Sequence, residues 1–195
     1  MNKTWPVLRA ALMTGPNLIT LSRIGLLALA LLGFFLGAVR VAIALGALAG
    51  ITDYLDGWLA RRTGQVTRLG EILDQFCDVV LELTLLTVAV SLEVLPLWVI
   101  VLHVLREIWV AAIRRSSIEL GTNIPSRRSG KLKAAFVGWS CLPLLIGAAE
   151  LAGAWSGALV KLGQAGVTVG LALTVWSGVA YSFDWARAYA RGAIR

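Results

Sequence analysis

Residues 41–92 read VAIALGALAGITDYLDGWLARRTGQVTRLGEILDQFCDVVLELTLLTVAVSL. Two apolar runs, 41–61 and 69–92, each have about the 20 residues that a helix needs to cross the hydrocarbon core of a bilayer. The short link 62–68 joins them as an antiparallel hairpin. Four of the five Asp residues, Asp53, Asp56, Asp74 and Asp78, fall within this one hairpin, and the fifth is Asp184. A carboxylate at membrane depth costs a few kcal/mol unless it is paired or faces water, so such residues are functional candidates by default. The hairpin is therefore both a membrane element and a candidate site.

The rest of the chain has the same character. Of 195 residues, 58% are hydrophobic and only 15% charged, with a mean hydropathy of +0.79. A water-soluble domain carries about 25% charged residues, so most soluble folds are excluded. Four further apolar runs, 18–37, 95–115, 131–151 and 162–189, bring the count to six. The fold class implied is all-α: an integral membrane bundle of six transmembrane helices in a single domain, 1–195. A short interfacial helix over 4–16, with Trp5, Leu8 and Leu12 on one side, precedes the first span. The stretch 1–15 lacks the apolar core of a cleavable signal peptide, and none is expected.

The net charge is +7. In a soluble protein this would raise nucleic acid as a partner, but in a bundle of spans it reads as orientation, and no nucleic-acid partner is expected. If the chain alternates sides at each crossing, only Arg40 and Lys161 of the 18 Lys and Arg fall on one side. Arg106 lies within the fourth span and the remainder gather on the other side. The positive-inside rule then places both termini and the 62–68 and 116–130 links in the cytoplasm. Cys77 and Cys141 have neither metal-site nor disulfide spacing and are read as packing residues. His103, the single histidine, is not expected to ligate metal.

Asp53 and Asp56 are three apart and Asp74 and Asp78 four apart, so each pair shares a helix face. The hairpin brings both pairs near the same membrane surface, where converging carboxylates repel unless a cation intervenes. Oxygen ligands without His or Cys select Mg²⁺, Mn²⁺ or Ca²⁺ over zinc or copper. Gly57 and Ala60 follow Asp56 along nearly the same face, and Gly70 precedes Asp74 by four. Small residues of this kind serve close helix packing, or here leave a cleft that, with Arg61 at its edge, suits a nucleotide diphosphate bridged by metal.

The run Asp53-x2-Asp56-Gly57-x2-Ala60-Arg61-x8-Gly70-x3-Asp74-x3-Asp78 resembles the signature of the CDP-alcohol phosphotransferases, D-x2-D-G-x2-A-R-x8-G-x3-D-x3-D, at all eight fixed positions. The resemblance extends to the six-span layout with cytoplasmic termini. It implies a site for two divalent metal ions, Mg²⁺ or Mn²⁺, with Asp53, Asp56, Asp74 and Asp78 as ligands. Asp78 is implied to be also the general base that takes a proton from an acceptor hydroxyl, which attacks the β-phosphorus of CDP-diacylglycerol and expels CMP. Gly57, Ala60, Arg61 and Gly70 match positions that cradle the CDP group. The stretch 16–23, PNLITLSR, resembles the opening of bacterial members, in which Asn17 and Thr20 approach the nucleotide; a helix start capped by Asn17 is the competing reading. A homodimer in the cytoplasmic (inner) membrane of a prokaryote, among membrane lipids, is implied as well.

The acceptor must be read from other residues. Arg106-Glu107 and Gly130-Lys131-Leu132-Lys133 resemble segments of bacterial phosphatidylglycerophosphate synthases. Arg106, Lys131 and Lys133 would then bind a small phosphorylated alcohol, most simply glycerol 3-phosphate, because Arg grips phosphate bidentately. Those synthases usually read Asp-Pro-x-Ala-Asp-Lys across the last two carboxylates, whereas this chain has 74–80 as DQFCDVV, with Glu82 following. Cardiolipin, phosphatidylinositol phosphate and phosphatidylserine synthases share the core and stay open. From another class, a divalent-cation transporter also places acids in spans, but on several helices near mid-bilayer rather than on one hairpin near one face.

Overall fold

A computed structural model of the protein describes residues 13–63, 67–119, 121 and 128–193, without the side chains at 16, 54, 56–58, 60, 61, 68, 128–131, 192 and 193. Among the described residues all regular structure is helical: α1 (Gly15–Phe35), α2 (Val39–Thr63), α3 (Arg68–Ser91), α4 (Trp98–Glu119), α5 (Arg128–Ala148) and α6 (Ser156–Ala193), with one 3-10 turn, Gly153–Trp155, before α6. Each of the six apolar runs expected as a span corresponds to one of these helices, with boundaries moved by one to six residues. The interfacial helix expected over 4–16 lies outside the described residues as far as 12, and 13 and 14 lead into α1 as turn and bend. The chain divides into two compact units, Met1–Val88 and Ala89–Arg195.

In the first unit, α1 begins after Thr14, which is extended at φ −73° and ψ 146°, with Pro in the first helical positions, where a missing N–H costs nothing. The helix ends where Gly37 turns left-handed at φ 78°: its N–H donates to Phe34 O (3.0 Å) and that of Ala38 to Gly33 O (2.8 Å). This paired closure satisfies carbonyls that the helix end would leave bare, and it reverses the chain within three residues, so that α2 returns against α1. Small residues line the seam: Ala30, Ala42 and Ala49 are buried with Leu27. On α3, Leu86 and Cys77 are fully enclosed, and a Cβ placed on Gly46 would stand 3.6 Å from Leu85.

In the second unit α6 packs against both α4 and α5. Gly163 and Gly170 of α6 face Leu144 and Val137 of α5: a Cβ at Gly163 would lie 2.7 Å from Leu144 Cα, and one at Gly170 would lie 3.2 Å from Val137 N. Absent side chains therefore let the two backbones approach, as membrane helices do in place of a hydrophobic driving force. Toward α4, Val110, Ile113 and Tyr181 form a buried cluster flanked by Trp185. Trp109 Nε1 donates to Ser182 Oγ (2.8 Å) and Trp185 Nε1 to Ser116 Oγ (3.0 Å), tying the same pair of helices at two levels.

The helices α3 and α5 close with the same paired motif as α1, but with Glu93 (φ 58°) and Glu150 (φ 55°) in the left-handed position. A side chain there costs roughly 1–2 kcal/mol. Glu93→Gly and Glu150→Gly are each expected to stabilise the protein by up to about 1 kcal/mol net of the glycine's extra unfolded-state freedom. A raised heat midpoint in detergent checks this, and a lowered one contradicts it.

Two stretches, Asn17–Phe35 and Gly153–Arg191, are long and apolar enough to cross a membrane by length and composition, and Leu132–Ala148 is a shorter apolar helix. Within α3 and α4 every stretch of 18 residues carries at least three acidic or basic residues, among them those described below. The polarity of the molecule is inverted: Trp139, Trp155 and Phe35 are more than 70% exposed, whereas the Arg23 and His103 side chains are completely enclosed.

Candidate active site

Three of the four acids expected to converge do so in the first unit. Asp53 lies on α2, and Asp74 and Asp78 lie one turn apart on α3. One carboxylate oxygen from each falls within 4.8 Å of the others. The carboxylates are half-exposed, at 41%, 52% and 51% of their side-chain surface. Asp56 is three residues beyond Asp53 on α2, and its side chain lies outside the described residues, as do those of Gly57, Ala60 and Arg61.

Arg23 of α1 enters this cluster. Its Nη1 stands 2.5 Å from Asp53 Oδ1, 3.3 Å from Asp78 Oδ1 and 3.7 Å from Asp74 Oδ1. Counting Arg23 among the cytoplasmic charges missed this role. The available signal was position: like Arg106, it lies inside an apolar run, where a cation needs a partner.

The donor set fits a hard cation. Three carboxylate oxygens this close, with neither His nor Cys among them, match the ligand chemistry of Mg²⁺ or Mn²⁺. Asp53, Asp74 and Asp78 are thus the described residues of this cluster that would hold metal.

Next to the acids, Asn17 and Thr20 of α1 are both buried. Asn17 is not the helix cap, since α1 starts at Gly15 and the cap position is Thr14. Instead its Nδ2 donates to Thr67 Oγ1 (3.4 Å). Thr67 precedes α3 and its hydroxyl accepts from the Gly70 N–H (3.0 Å), the usual side-chain cap of a helix start. A Cβ on Gly70 would come within 2.6 Å of Asn17 Oδ1, so glycine is what lets Asn17 sit there. Two expected nucleotide-side residues, Asn17 and Gly70, therefore meet, through a threonine that the sequence reading passed over. Cys77 is buried, with Sγ 3.5 Å from the Thr20 carbonyl, in the packing role expected.

The expected acceptor residues lie in the second unit. Arg106 of α4 and Lys133 of α5 share one carboxylate: Arg106 Nη1 donates to Glu107 Oε1 at 2.6 Å and Lys133 Nζ to the same oxygen at 2.9 Å. Arg106 also donates from Nε and Nη2 to Ser177 Oγ of α6 at 3.2 and 3.0 Å. Lys133 Nζ approaches His103 Nε2 at 3.4 Å. Arg114 donates to the Tyr181 hydroxyl at 2.9 Å, and both Arg106 and Arg114 stand over the Tyr181 ring. Glu107, quoted in the sequence only as part of the Arg106-Glu107 segment, holds both cations, and Ser177, which was not singled out there, holds Arg106. Lys131 has its side chain outside the described residues.

Comparison with known proteins adds to this geometry. Residues 13–176 match the family described as CDP-alcohol phosphatidyltransferase. The chain is 36% identical over 183 residues to a probable phosphatidylglycerophosphate synthase of Mycobacterium tuberculosis, covering 89% of this chain and 82% of the relative. It is 33% identical over 177 residues to a CDP-diacylglycerol–glycerol-3-phosphate 3-phosphatidyltransferase of Pseudomonas fluorescens, covering 85% and 87%. A cardiolipin synthase (CMP-forming) of Streptomyces coelicolor is 40% identical over 78 residues, 38% of this chain and 36% of the relative.

Proposed function

The chain belongs to the CDP-alcohol phosphatidyltransferase family, and from that premise we propose that it transfers the phosphatidyl group of CDP-diacylglycerol to glycerol 3-phosphate, giving phosphatidylglycerophosphate and CMP. The observation that carries this reading is the convergence of Asp53, Asp74 and Asp78 from two helices. The acceptor follows relatives that cover more than four-fifths of the chain and are named for phosphatidylglycerophosphate synthesis or for glycerol 3-phosphate. The similarities to cardiolipin synthases cover less, 38% and 52% of the chain.

In this reading Asp53, Asp56, Asp74 and Asp78 hold two divalent ions, Mg²⁺ or Mn²⁺, which when bound neutralise the diphosphate and stabilise the departing phosphate. The chain's own groups do the rest. Asn17, Thr20, Gly57, Ala60, Arg61 and Gly70 seat the CDP group. A carboxylate oxygen of Asp78 takes the proton of the acceptor hydroxyl. The freed oxygen bonds to the β-phosphorus as the bond from that phosphorus to the CMP oxygen breaks. Arg106, Lys131 and Lys133 bind the acceptor's phosphate, with Glu107 and Ser177 fixing the angle of Arg106.

The reading includes six spans, with both termini and the site on the cytoplasmic side of a prokaryotic inner membrane, and a homodimer. A single catalytic domain fits a family match that runs through both compact units. Support for the membrane comes from apolar side chains exposed on the outside while Arg23, Lys133 and His103 are buried, an inversion suited to lipid. Two helices meet the length and composition of a span.

The test is CMP release from CDP-diacylglycerol by purified protein with Mg²⁺ or Mn²⁺, supplying glycerol 3-phosphate, inositol phosphate, serine or phosphatidylglycerol one at a time. Release stimulated by glycerol 3-phosphate alone is expected; stimulation by another acceptor would reassign the product. In the same assay Gly70→Ala, whose methyl would displace the Asn17 carboxamide, is expected to raise KM for CDP-diacylglycerol about tenfold, a loss on the scale of one or two hydrogen bonds. An unchanged KM would remove Asn17 from the nucleotide side.

A further inference from the structure

The Arg23 guanidinium does not fit the role of a surface charge that sets orientation. Its side chain has no exposed surface, yet its Nη1 reaches one oxygen of each of Asp53, Asp78 and Asp74 at 2.5, 3.3 and 3.7 Å. A divalent ion bound by those oxygens would stand about 2.0–2.6 Å from each. The three carboxylates offer oxygens within 4.8 Å of one another, so Nη1 and such an ion draw on the same three carboxylates and, being like-charged at this range, repel each other. The approaches also differ. The carboxylates are 41–52% exposed, so an ion reaches them from solvent, whereas the guanidinium comes from the enclosed side along α1.

We propose that Arg23 is an internal competitor for the cation site, holding Asp53, Asp74 and Asp78 together and withdrawing when a divalent ion binds among them. The proposal rests on the reading of these acids as metal ligands. Arg is suited to it because a guanidinium stays charged at any working pH and offers several donors. Metal affinity is then the intrinsic affinity of the carboxylates reduced by the work of displacing the guanidinium. Without Arg23 the acids would repel one another in the metal-free protein, and metal would bind with no such reduction.

The test uses the full chain in detergent, with Arg23→Gln purified throughout in Mn²⁺ and then stripped. Mn²⁺ binding is followed by the electron paramagnetic resonance signal of the free ion and, separately, by the heat midpoint. In Arg23→Gln the half-saturating Mn²⁺ concentration is expected to fall at least tenfold. Its midpoint without metal should drop and be restored to that of the unsubstituted protein by saturating Mn²⁺. Arg23→Lys keeps the charge and should stay within threefold of the unsubstituted protein. Equal or weaker Mn²⁺ binding in Arg23→Gln, while the unsubstituted protein binds measurably, overturns the competitor but leaves the metal site standing. Saturable binding in neither protein overturns the metal site itself. Failure of Arg23→Gln to fold even in Mn²⁺ also counts against the proposal, since the ion should replace the guanidinium.

Discussion

Asp78→Asn is expected to lower turnover by about 10²–10⁴, the range of a general base's contribution, while CDP-diacylglycerol still binds. The amide is nearly isosteric with the carboxylate and keeps an oxygen acceptor for Arg23 Nη1, 3.3 Å away, but it cannot take up the acceptor's proton. In the proposed arrangement Asp53, Asp56 and Asp74 remain to hold metal, so the nucleotide end would remain held. Single-turnover CMP release together with equilibrium binding of a CDP-lipid separates the two effects. Near-normal turnover would remove Asp78 as the base. Asp53→Asn and Asp56→Asn should instead lose metal and nucleotide binding together, which distinguishes a ligand from a proton acceptor within one cluster.

The second large effect is structural. Gly163→Val should destabilise the second unit by roughly 3 kcal/mol, the upper part of the range for overpacking, or prevent it from assembling. The added atoms would meet the backbone of Leu144, with N at 2.8 Å and Cα at 2.7 Å from an ideal Cβ, and a backbone cannot escape by changing rotamer. Gly157→Val, on the same helix with nothing within 4 Å of its Cβ position, is the control and should cost nothing, since valine is the better helix former of the two. Heat midpoints in detergent compare the two, and equal losses would mean that the α5–α6 approach is not what Gly163 provides.

The acids were legible because helical periodicity fixes where residues three and four apart must point, and a hairpin leaves little choice about which ends meet. Helix ends were less so. Apolar composition does not stop where a helix stops, so Leu95-Pro96-Leu97 reads as span although α4 begins at Trp98, and α6 reaches back through Lys161 to Ser156. Arg23 was misjudged for a related reason: counting charges by side locates a residue along the chain but not the far end of a long side chain. Asn17 had two roles open in the sequence, and the position of Thr14 removes the one as helix cap. Gly163, Gly166 and Gly170 are a stripe on one helix face, and no stripe names its partner until the facing helix is in place.

The 38 residues of α6 extend to about 57 Å at 1.5 Å per residue, nearly twice the roughly 30 Å of hydrocarbon a span must cover. Near its end Trp185 and Tyr189 stack with ring centroids 5.4 Å apart, followed by Arg191, an amphipathic pair and a cation of the kind that float at the headgroup level. In the proposed six-span reading such a helix would work as a depth gauge, its anchored end fixing how far the remainder is immersed. Ser177, two turns before Trp185, carries Arg106, so the height of that guanidinium in the bilayer follows the gauge. On the proposed reading, in which Arg106 binds the acceptor, its guanidinium would then keep a set depth of about 12 Å below the anchored surface at 1.5 Å per residue, so that acyl chains of different length alter the far side of the bilayer and not the distance to the water that delivers a phosphorylated alcohol.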